Sequence, residues 1–152
     1  WRMRRLVKPS DARLSYTMKT GRKKMSEMIF VFGSNEAGRH GAGAAKFALE
    51  HRGAKLRVAF GQEGQSFAIP TKDETIRHTL SLPTIKAYVD EFIEEAKLHP
   101  EQSYQVTRIG CGLAGLKDED IAPMFKAAPD NCWFDTAWQP WLGDQRNYWG
   151  HF

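Results

Sequence analysis

Two glycine-rich loops, each placed directly after an apolar run, constrain the fold of this chain more than any other feature. The run Ile29-Phe30-Val31-Phe32 leads into a polar loop over residues 33–43, and residues 104–109 lead into a second loop over residues 110–116. Short apolar runs of this kind are typical of buried strands in α/β sheets. A helix-like segment follows each loop, so the sequence predicts two strand–loop–helix units.

The remaining segments continue this alternation. A long amphipathic helix is predicted after Pro83 and before Pro100, because its apolar residues recur at helical spacing. The other predicted elements are strands over residues 58–60, 66–69 and 132–134, a helix over residues 44–51, and a short helix over residues 119–127 capped by Asp118. The alternation predicts one α/β domain over residues 28–152, built as three layers, α/β/α.

The composition agrees with a globular domain and excludes several other classes. The chain has 152 residues, of which 41% are hydrophobic and 26% charged, values in the usual range for one domain. It contains no apolar run of membrane-spanning length and no apolar leader of the secretory type. Cys111 and Cys132 are too few for a disulfide scaffold or a zinc cluster. We therefore expect a cytoplasmic protein without a metal ion or another cofactor.

Charge is divided unevenly along the chain. The first 24 residues hold nine basic side chains and one acidic side chain, whereas the remaining 128 hold 13 basic and 17 acidic side chains, a net charge of −4. We predict a flexible basic tail over residues 1–27. Three interpretations remain open: an arm that contacts nucleic acid, a solvated leader without a specific role, and foreign or upstream sequence before a natural start at Met25.

Both glycine loops are expected to contribute to one phosphate-binding cleft. Ligands of open α/β sheets bind beyond the carboxyl ends of the strands, where such loops gather. Glycine allows the backbone to approach a ligand closely and to direct N–H groups at it. Neither loop ends in Gly-Lys-Ser/Thr, so neither is a Walker A loop. Each loop taken alone is also compatible with a simple tight connection.

The two loops resemble those of the macrodomain family. The segment Ser34-Asn35-Glu36-Ala37-Gly38-Arg39-His40-Gly41-Ala42-Gly43-Ala44-Ala45 is similar to the first ligand loop of that family, and Arg108-Ile109-Gly110-Cys111-Gly112-Leu113-Ala114-Gly115-Leu116 is similar to its phosphate loop. The resemblance covers about residues 28–127. It is closest to the branch that contains the terminal ADP-ribose protein glycohydrolase and the antitoxin that removes ADP-ribose from DNA, and it extends to small bacterial and phage proteins.

This resemblance implies a mixed sheet between helices and a ligand, ADP-ribose, that lies across the ends of the strands. Asn35 would face the distal ribose, and Lys72, within Ile69-Pro70-Thr71-Lys72, would attack or polarise its anomeric carbon. A solvated surface lysine is the competing interpretation of Lys72. The full set of implied ligand-binding residues is Gly33, Ser34, Asn35, His40, Gly41, Ala42, Gly43, Ala44, Gly110, Cys111, Gly112, Leu113, Ala114 and Gly115.

Two departures from the family pattern keep the activity open. Ala114 occupies the position at which the protein-directed glycohydrolase has an aspartate, and no Gly-Asp pair matches the one that reads adenine in the family. The resemblance therefore implies either a glycohydrolase that releases ADP-ribose from a modified protein or DNA, or a binding module for ADP-ribose or a related nucleotide. Cys111 has no histidine at a readable spacing, so we expect it to fill space rather than to act as a nucleophile.

Overall fold

The computed structural model describes residues 24–151, which fold around one six-stranded mixed sheet. The strand order is β2-β3-β1-β4-β5-β6, and β2 is antiparallel to β3 while all the other neighbouring pairs are parallel. The strands are β1 (Ile29–Asn35), β2 (Gly61–Glu63), β3 (Ser66–Lys72), β4 (Tyr104–Val106), β5 (Cys132–Asp135) and β6 (Asn147–Gly150). The carboxyl ends of the five parallel strands therefore lie at one edge of the sheet.

Four α-helices within residues 24–151 accompany the sheet, which confirms the predicted α/β class and is compatible with the three-layer arrangement. They are α1 (Gly43–His51), α2 (Leu82–Leu98), α3 (Asp118–Ile121) and α4 (Gln139–Leu142). Ala45 and Ala48 of α1 are buried in one cluster with Phe30 and Phe32 of β1. Ile29 and Val31, which alternate with those phenylalanines, belong instead to the larger cluster that contains α2. Alternating side chains of a strand point to opposite faces, so β1 is covered by helices on both faces.

The predicted amphipathic helix is confirmed in detail. Helix α2 buries Ile85, Val89, Phe92, Ile93 and Ala96, the apolar stripe that its sequence presents. The hydroxyl of Ser81 accepts a hydrogen bond from the main-chain N–H of Thr84 and caps the amino end of the helix, and proline occupies its first turn.

Several predicted boundaries differ from the structure. Residues 58–60 form no strand, and the edge strand β2 begins at Gly61 instead. Strand β3 extends through Pro70. A proline fits there because the pairing with β2 ends at Ala68, so β2 requires no main-chain hydrogen bond from residue 70. The short predicted helix divides into α3 and a 3-10 turn over Ala122–Phe125 that contains Pro123.

The start and the end of the described chain contain elements that the sequence pattern did not predict. Residues 1–23 of the predicted tail lie outside the described residues. Met25–Glu27 form a 3-10 turn, because the main-chain N–H of Lys24 donates to Glu27 and Met25 packs against the buried cluster of Met28, Trp133 and Trp149. Strand β5 confirms the strand predicted at residues 132–134, and β6 follows it in the stretch that the pattern left unassigned.

No helix within residues 24–151 has the length and apolar character needed to cross a membrane.

Candidate functional site

A cavity of about 570 Å³ lies at the carboxyl edge of the sheet, where both glycine loops meet. Its volume is in the range of small-molecule sites in proteins. The wall includes Lys72 and twelve of the predicted ligand-binding residues: Gly33, Ser34, Asn35, Gly41, Ala42, Gly43, Ala44, Gly110, Cys111, Gly112, Leu113 and Ala114. Two loops that are far apart in sequence thus form one concave surface.

The first loop is organised by the amide group of Asn35. Its Nδ2 donates to the carbonyl oxygen of Arg39 at 2.8 Å, and its Oδ1 accepts from the N–H of Arg39 at 2.9 Å. The side chain therefore closes the turn over residues 35–39 while it lies in the cavity wall. An amide has two donors and two acceptor positions, so one of each remains for a ligand.

The amino end of α1 opens onto the cavity. Its N-cap residue is Ala42, which offers no side-chain acceptor for the first-turn N–H groups. Gly43, Ala44 and Ala45 of this first turn all belong to the wall. Unpaired N–H groups and the positive end of a helix dipole favour an anionic group at this position.

Close backbone packing holds the second loop against β1. A Cβ built on Gly33 would lie 3.1 Å from the main-chain nitrogen of Gly110. Gly110 has a φ of +76°, and a Cβ there would lie 2.8 Å from Cδ1 of Leu116. These two positions accept glycine because the first requires close approach and the second a left-handed backbone.

The two loops also touch across the mouth of the cavity. A Cβ on Gly43 would lie 3.3 Å from Cδ1 of Leu113, whose side chain is 72% exposed. Leu113 thus reaches from the second loop towards the start of α1. An exposed apolar side chain at this place can contact a ligand that enters between the loops.

Arg108 supports the second loop from its start and lines the cavity. Its guanidinium donates to both carboxylate oxygens of Asp118, with Nε to Oδ1 at 2.8 Å and Nη2 to Oδ2 at 2.6 Å. Asp118 also accepts from the indole N–H of Trp138 at 2.7 Å. The Arg108 guanidinium holds the pKa of the Asp118 carboxyl below its usual value. Asp118 was predicted as a helix cap, but its carboxylate instead anchors this pair.

Lys72 lies at the carboxyl end of β3, next to Asn35 in the register with β1. Its side chain is partly exposed, and within the described part of the chain its ammonium group makes no ion pair or hydrogen bond. Thr71 precedes it and donates a hydrogen bond to the main-chain oxygen of Ser34 at 3.3 Å, which ties the ends of β3 and β1 together. The lysine is therefore available to a bound ligand.

The balance of charge in the wall favours an anionic ligand. Among residues 24–151 its cationic residues are Arg39, Lys72 and Arg108, of which Arg108 is paired with Asp118, and Asp135 is its one carboxylate. Cationic side chains around a concave, low-dielectric surface raise the local concentration of anions.

Cys111 places a thiol in the cavity wall, and its surroundings keep this thiol protonated. Burial, followed by the nearby carboxylate of Asp118, raises the pKa of this thiol to about 12. Since the thiolate is the reactive form, Cys111 is poorly suited to nucleophilic attack near neutral pH.

Two predicted ligand-binding residues do not line the cavity. His40 is 2% exposed, lies edge-on to the ring of Phe32 and makes a hydrogen bond with the main-chain oxygen of Lys55 through Nε2. It therefore forms part of the packing beneath the first loop. Gly115 has a φ of +74° and makes the turn at the end of the second loop instead.

Sequence reasoning also missed several wall residues. Thr71, Arg108 and Ile109 adjoin positions that were identified, and Asp135 ends a predicted strand, so the rule that ligands gather beyond strand ends could have found them. Ile76 carries no such signal, because only the fold brings its loop back to the cavity. The residues missed are Arg39, Ala45, Thr71, Ile76, Thr107, Arg108, Ile109 and Asp135.

The fold and the cavity define an α/β domain with a cavity at the carboxyl edge of its sheet. Comparisons with known proteins do not extend this description: no protein-family model matches the chain, and no curated protein matches it. A solved structure of a protein of unknown function from Bacteroides thetaiotaomicron is similar, with 17% identity, a TM-score of 0.48, and 80% of this chain and 88% of that chain covered.

Proposed function

We propose that this protein binds ADP-ribose in the cavity and removes it from a modified protein or DNA, as an ADP-ribosyl glycohydrolase of the macrodomain type. The observation that carries the proposal is the convergence of both glycine loops, Asn35 and Lys72 on one cavity. The two loops are separated by more than 60 residues in the chain. Their meeting in one wall supports a shared ligand.

The wall contains groups suited to each part of such a ligand. The open first turn of α1 and the second glycine loop offer main-chain N–H groups to a diphosphate. Asn35 and Lys72 lie side by side at the ends of β1 and β3, where the distal ribose would lie. The ligand would therefore extend from β3 across β1 and β4 along the edge of the sheet.

Lys72 supplies the chemistry in this proposal. As a neutral amine, Nζ attacks the anomeric carbon of the distal ribose, and the bond from that carbon to the macromolecule breaks. Its electron pair leaves on the macromolecule, which takes up the proton that Nζ loses. Water then displaces Nζ from the anomeric carbon and restores the amine. Alternatively, the ammonium form polarises the ribose while water attacks directly.

A binding module without activity is the second candidate, and one observation favours it. Asp135 is the only carboxylate in the cavity wall among the described residues, and it ends β5. Strands β3 and β5 are separated by β1 and β4 in the sheet, so Asp135 lies three strand spacings, about 14 Å, from Lys72. A general base beside Lys72 is therefore absent from the described wall, and a domain that only binds ADP-ribose needs none.

Calorimetry and a turnover assay distinguish these candidates. We expect ADP-ribose to bind the full chain at one site, and Lys72→Ala to abolish the release of ADP-ribose from modified protein or DNA while it retains binding. Lys46→Ala is the matched control, because Lys46 is an exposed lysine on α1 outside the cavity wall.

Each outcome has a definite meaning. Binding by the wild type without release from either substrate would establish the binding module, and a fully active Lys72→Ala variant would refute the proposed role of the lysine. Failure of the wild-type chain to bind ADP-ribose would overturn both candidates.

A further inference from the structure

The connection between β3 and α2 contains a backbone conformation that its residue type rarely adopts. Ile76 has a φ of +67°, and Arg57 is the other non-glycine residue with a positive φ among residues 24–151. This left-handed region is costly for L-residues, and a β-branched side chain there is an outlier. Glycine or asparagine would occupy the position at little cost. Such a conformation persists only where the surrounding structure holds it, and such residues cluster at functional sites.

Hydrogen bonds close residues 72–79 into a hairpin around Ile76. At its base, Thr79 forms an antiparallel bridge with Lys72. At its tip, the N–H of Ile76 donates to the carbonyl oxygen of Asp73 at 3.0 Å, and the Asp73 carboxylate accepts from both the N–H and the hydroxyl of Thr75. Because the base of the hairpin is the lysine itself, the tip is held near the lysine.

The side chain of Ile76 serves the cavity rather than the apolar core. It lies in the cavity wall and is partly exposed, and it belongs to none of the three apolar clusters that residues 24–151 form. Its strained backbone is therefore not offset by burial in the core. The hydroxyl of Thr79 donates to the carbonyl oxygen of Ala114 at 3.0 Å, so the hairpin also joins the lysine end of the cavity to the second glycine loop.

We propose that Ile76 is a specificity-determining residue that packs its apolar side chain against the sugar beyond the diphosphate, so that the cavity prefers a nucleoside diphosphate sugar to the nucleoside diphosphate alone. This inference rests on the proposed function, because it places the diphosphate at the glycine loops and the distal ribose at Lys72. Ribose presents C–H groups as well as hydroxyl groups, and covering C–H surface with an isoleucine is favourable. The hairpin holds this apolar surface in place before the ligand arrives, which reduces the entropy lost on binding.

Two substitutions of Ile76 separate the contact with the sugar from the stiffness of the hairpin. Ile76→Ala removes the side chain beyond Cβ and leaves the backbone restricted, whereas Ile76→Gly also frees the backbone. Arg57→Gly is the matched control, because Arg57 has a φ of +72° and lies outside the cavity wall. It relieves the same kind of backbone strain without altering the proposed contact.

The test measures the dissociation constants of ADP-ribose and of ADP by calorimetry, for the full chain and for the three variants. The two ligands differ by the distal ribose, so the ratio of their dissociation constants reports on the contacts of that sugar. We expect the wild type to prefer ADP-ribose. Both Ile76 variants should lose about 5- to 10-fold of this preference, which corresponds to about 40–55 Å² of apolar surface left uncovered. The affinity for ADP, and the ratio for Arg57→Gly, should be unchanged.

The results separate this inference from the proposed function. A wild type that binds ADP as tightly as ADP-ribose, or a ratio that is the same in the wild type and in both Ile76 variants, overturns the role of Ile76 and leaves ADP-ribose binding in place. A loss in Ile76→Gly alone would assign the effect to a looser hairpin and also overturn it.

Urea unfolding of the same variants excludes a purely structural role. Ile76→Gly relieves the strain of the left-handed backbone, so its urea midpoint should stay close to that of the wild type. A midpoint far below the wild type would assign Ile76 to the fold and overturn the inference. A wild type that binds neither ADP-ribose nor ADP overturns the proposed function and this inference together.

Discussion

Three glycines of the second loop allow the cost of a left-handed backbone to be measured separately from the cost of a steric clash. Gly110, Gly112 and Gly115 lie within six residues of one another but differ in what alanine would meet. Gly112 has a φ outside the left-handed region and open space around its Cβ position. Gly115 has a φ of +74° with open space, and Gly110 has a φ of +76° with Leu116 Cδ1 2.8 Å and Thr71 Cγ2 3.3 Å from its Cβ position.

The expected losses of stability follow from these differences. Alanine in the left-handed region costs about 1–2 kcal/mol, part of which is offset by about 0.4–1 kcal/mol from the stiffer unfolded chain. Gly115→Ala should therefore lower the free energy of unfolding by about 1 kcal/mol. Gly110→Ala adds the displacement of Leu116 from its rotamer, about another 1 kcal/mol, for a total near 2 kcal/mol. Gly112→Ala should change stability by less than about 1 kcal/mol.

Urea unfolding followed by tryptophan fluorescence measures the series, because the described chain buries Trp133, Trp138 and Trp149. The urea midpoint should be highest for Gly112→Ala, lower for Gly115→Ala and lowest for Gly110→Ala, with equal denaturant slopes. The reasoning would be refuted if Gly110→Ala were as stable as Gly115→Ala, or if Gly112→Ala were the least stable of the three.

Two further predictions concern ionisable groups near the cavity. Arg108 holds the pKa of Asp118 below its unfolded value, so the pair stabilises the fold above the unfolded pKa and loses this contribution as pH falls through the folded pKa. Urea midpoints at pH 6 and pH 3 should therefore differ more for the wild type than for Asp118→Asn, and an equal difference would contradict this. The pKa of the Cys111 thiol is raised to about 12, so Cys111 should react with iodoacetamide at pH 8 far more slowly than free cysteine does. Mass spectrometry follows the reaction, and a rate equal to that of free cysteine would show that the thiol is not protected.

Local pattern predicted some elements well because neighbouring residues decide them. Helix α2 was predicted from its apolar stripe and its proline, and both features act within the helix itself. The first strand was predicted from four consecutive apolar residues, but it continues through Gly33 and Ser34 to Asn35. That extension depends on pairing with β3, a partner more than 30 residues away, which no local pattern contains.

The residues of the candidate site also fall into two groups, those that the sequence identified and those that only the fold placed. The glycine loops were predicted because each follows an apolar run, and Lys72 was predicted from the resemblance to the macrodomain family. His40 resembled its neighbours in the first loop, yet packing beneath the loop buried it against Phe32. Asp118 appeared as a cap, and only the fold brought Arg108 and Trp138 to its carboxylate.

The sequence by itself determined the α/β class and the two glycine loops, because these depend on periodicity and on the backbone freedom of glycine, whereas Lys72 was nominated by the resemblance to the macrodomain family. The tertiary structure alone decided the order of the strands, the meeting of the loops in one cavity, and the presence of Asp135 in its wall. Each of these depends on contacts between segments that are distant in the chain, and the free energy of such contacts arises only when the sheet is assembled.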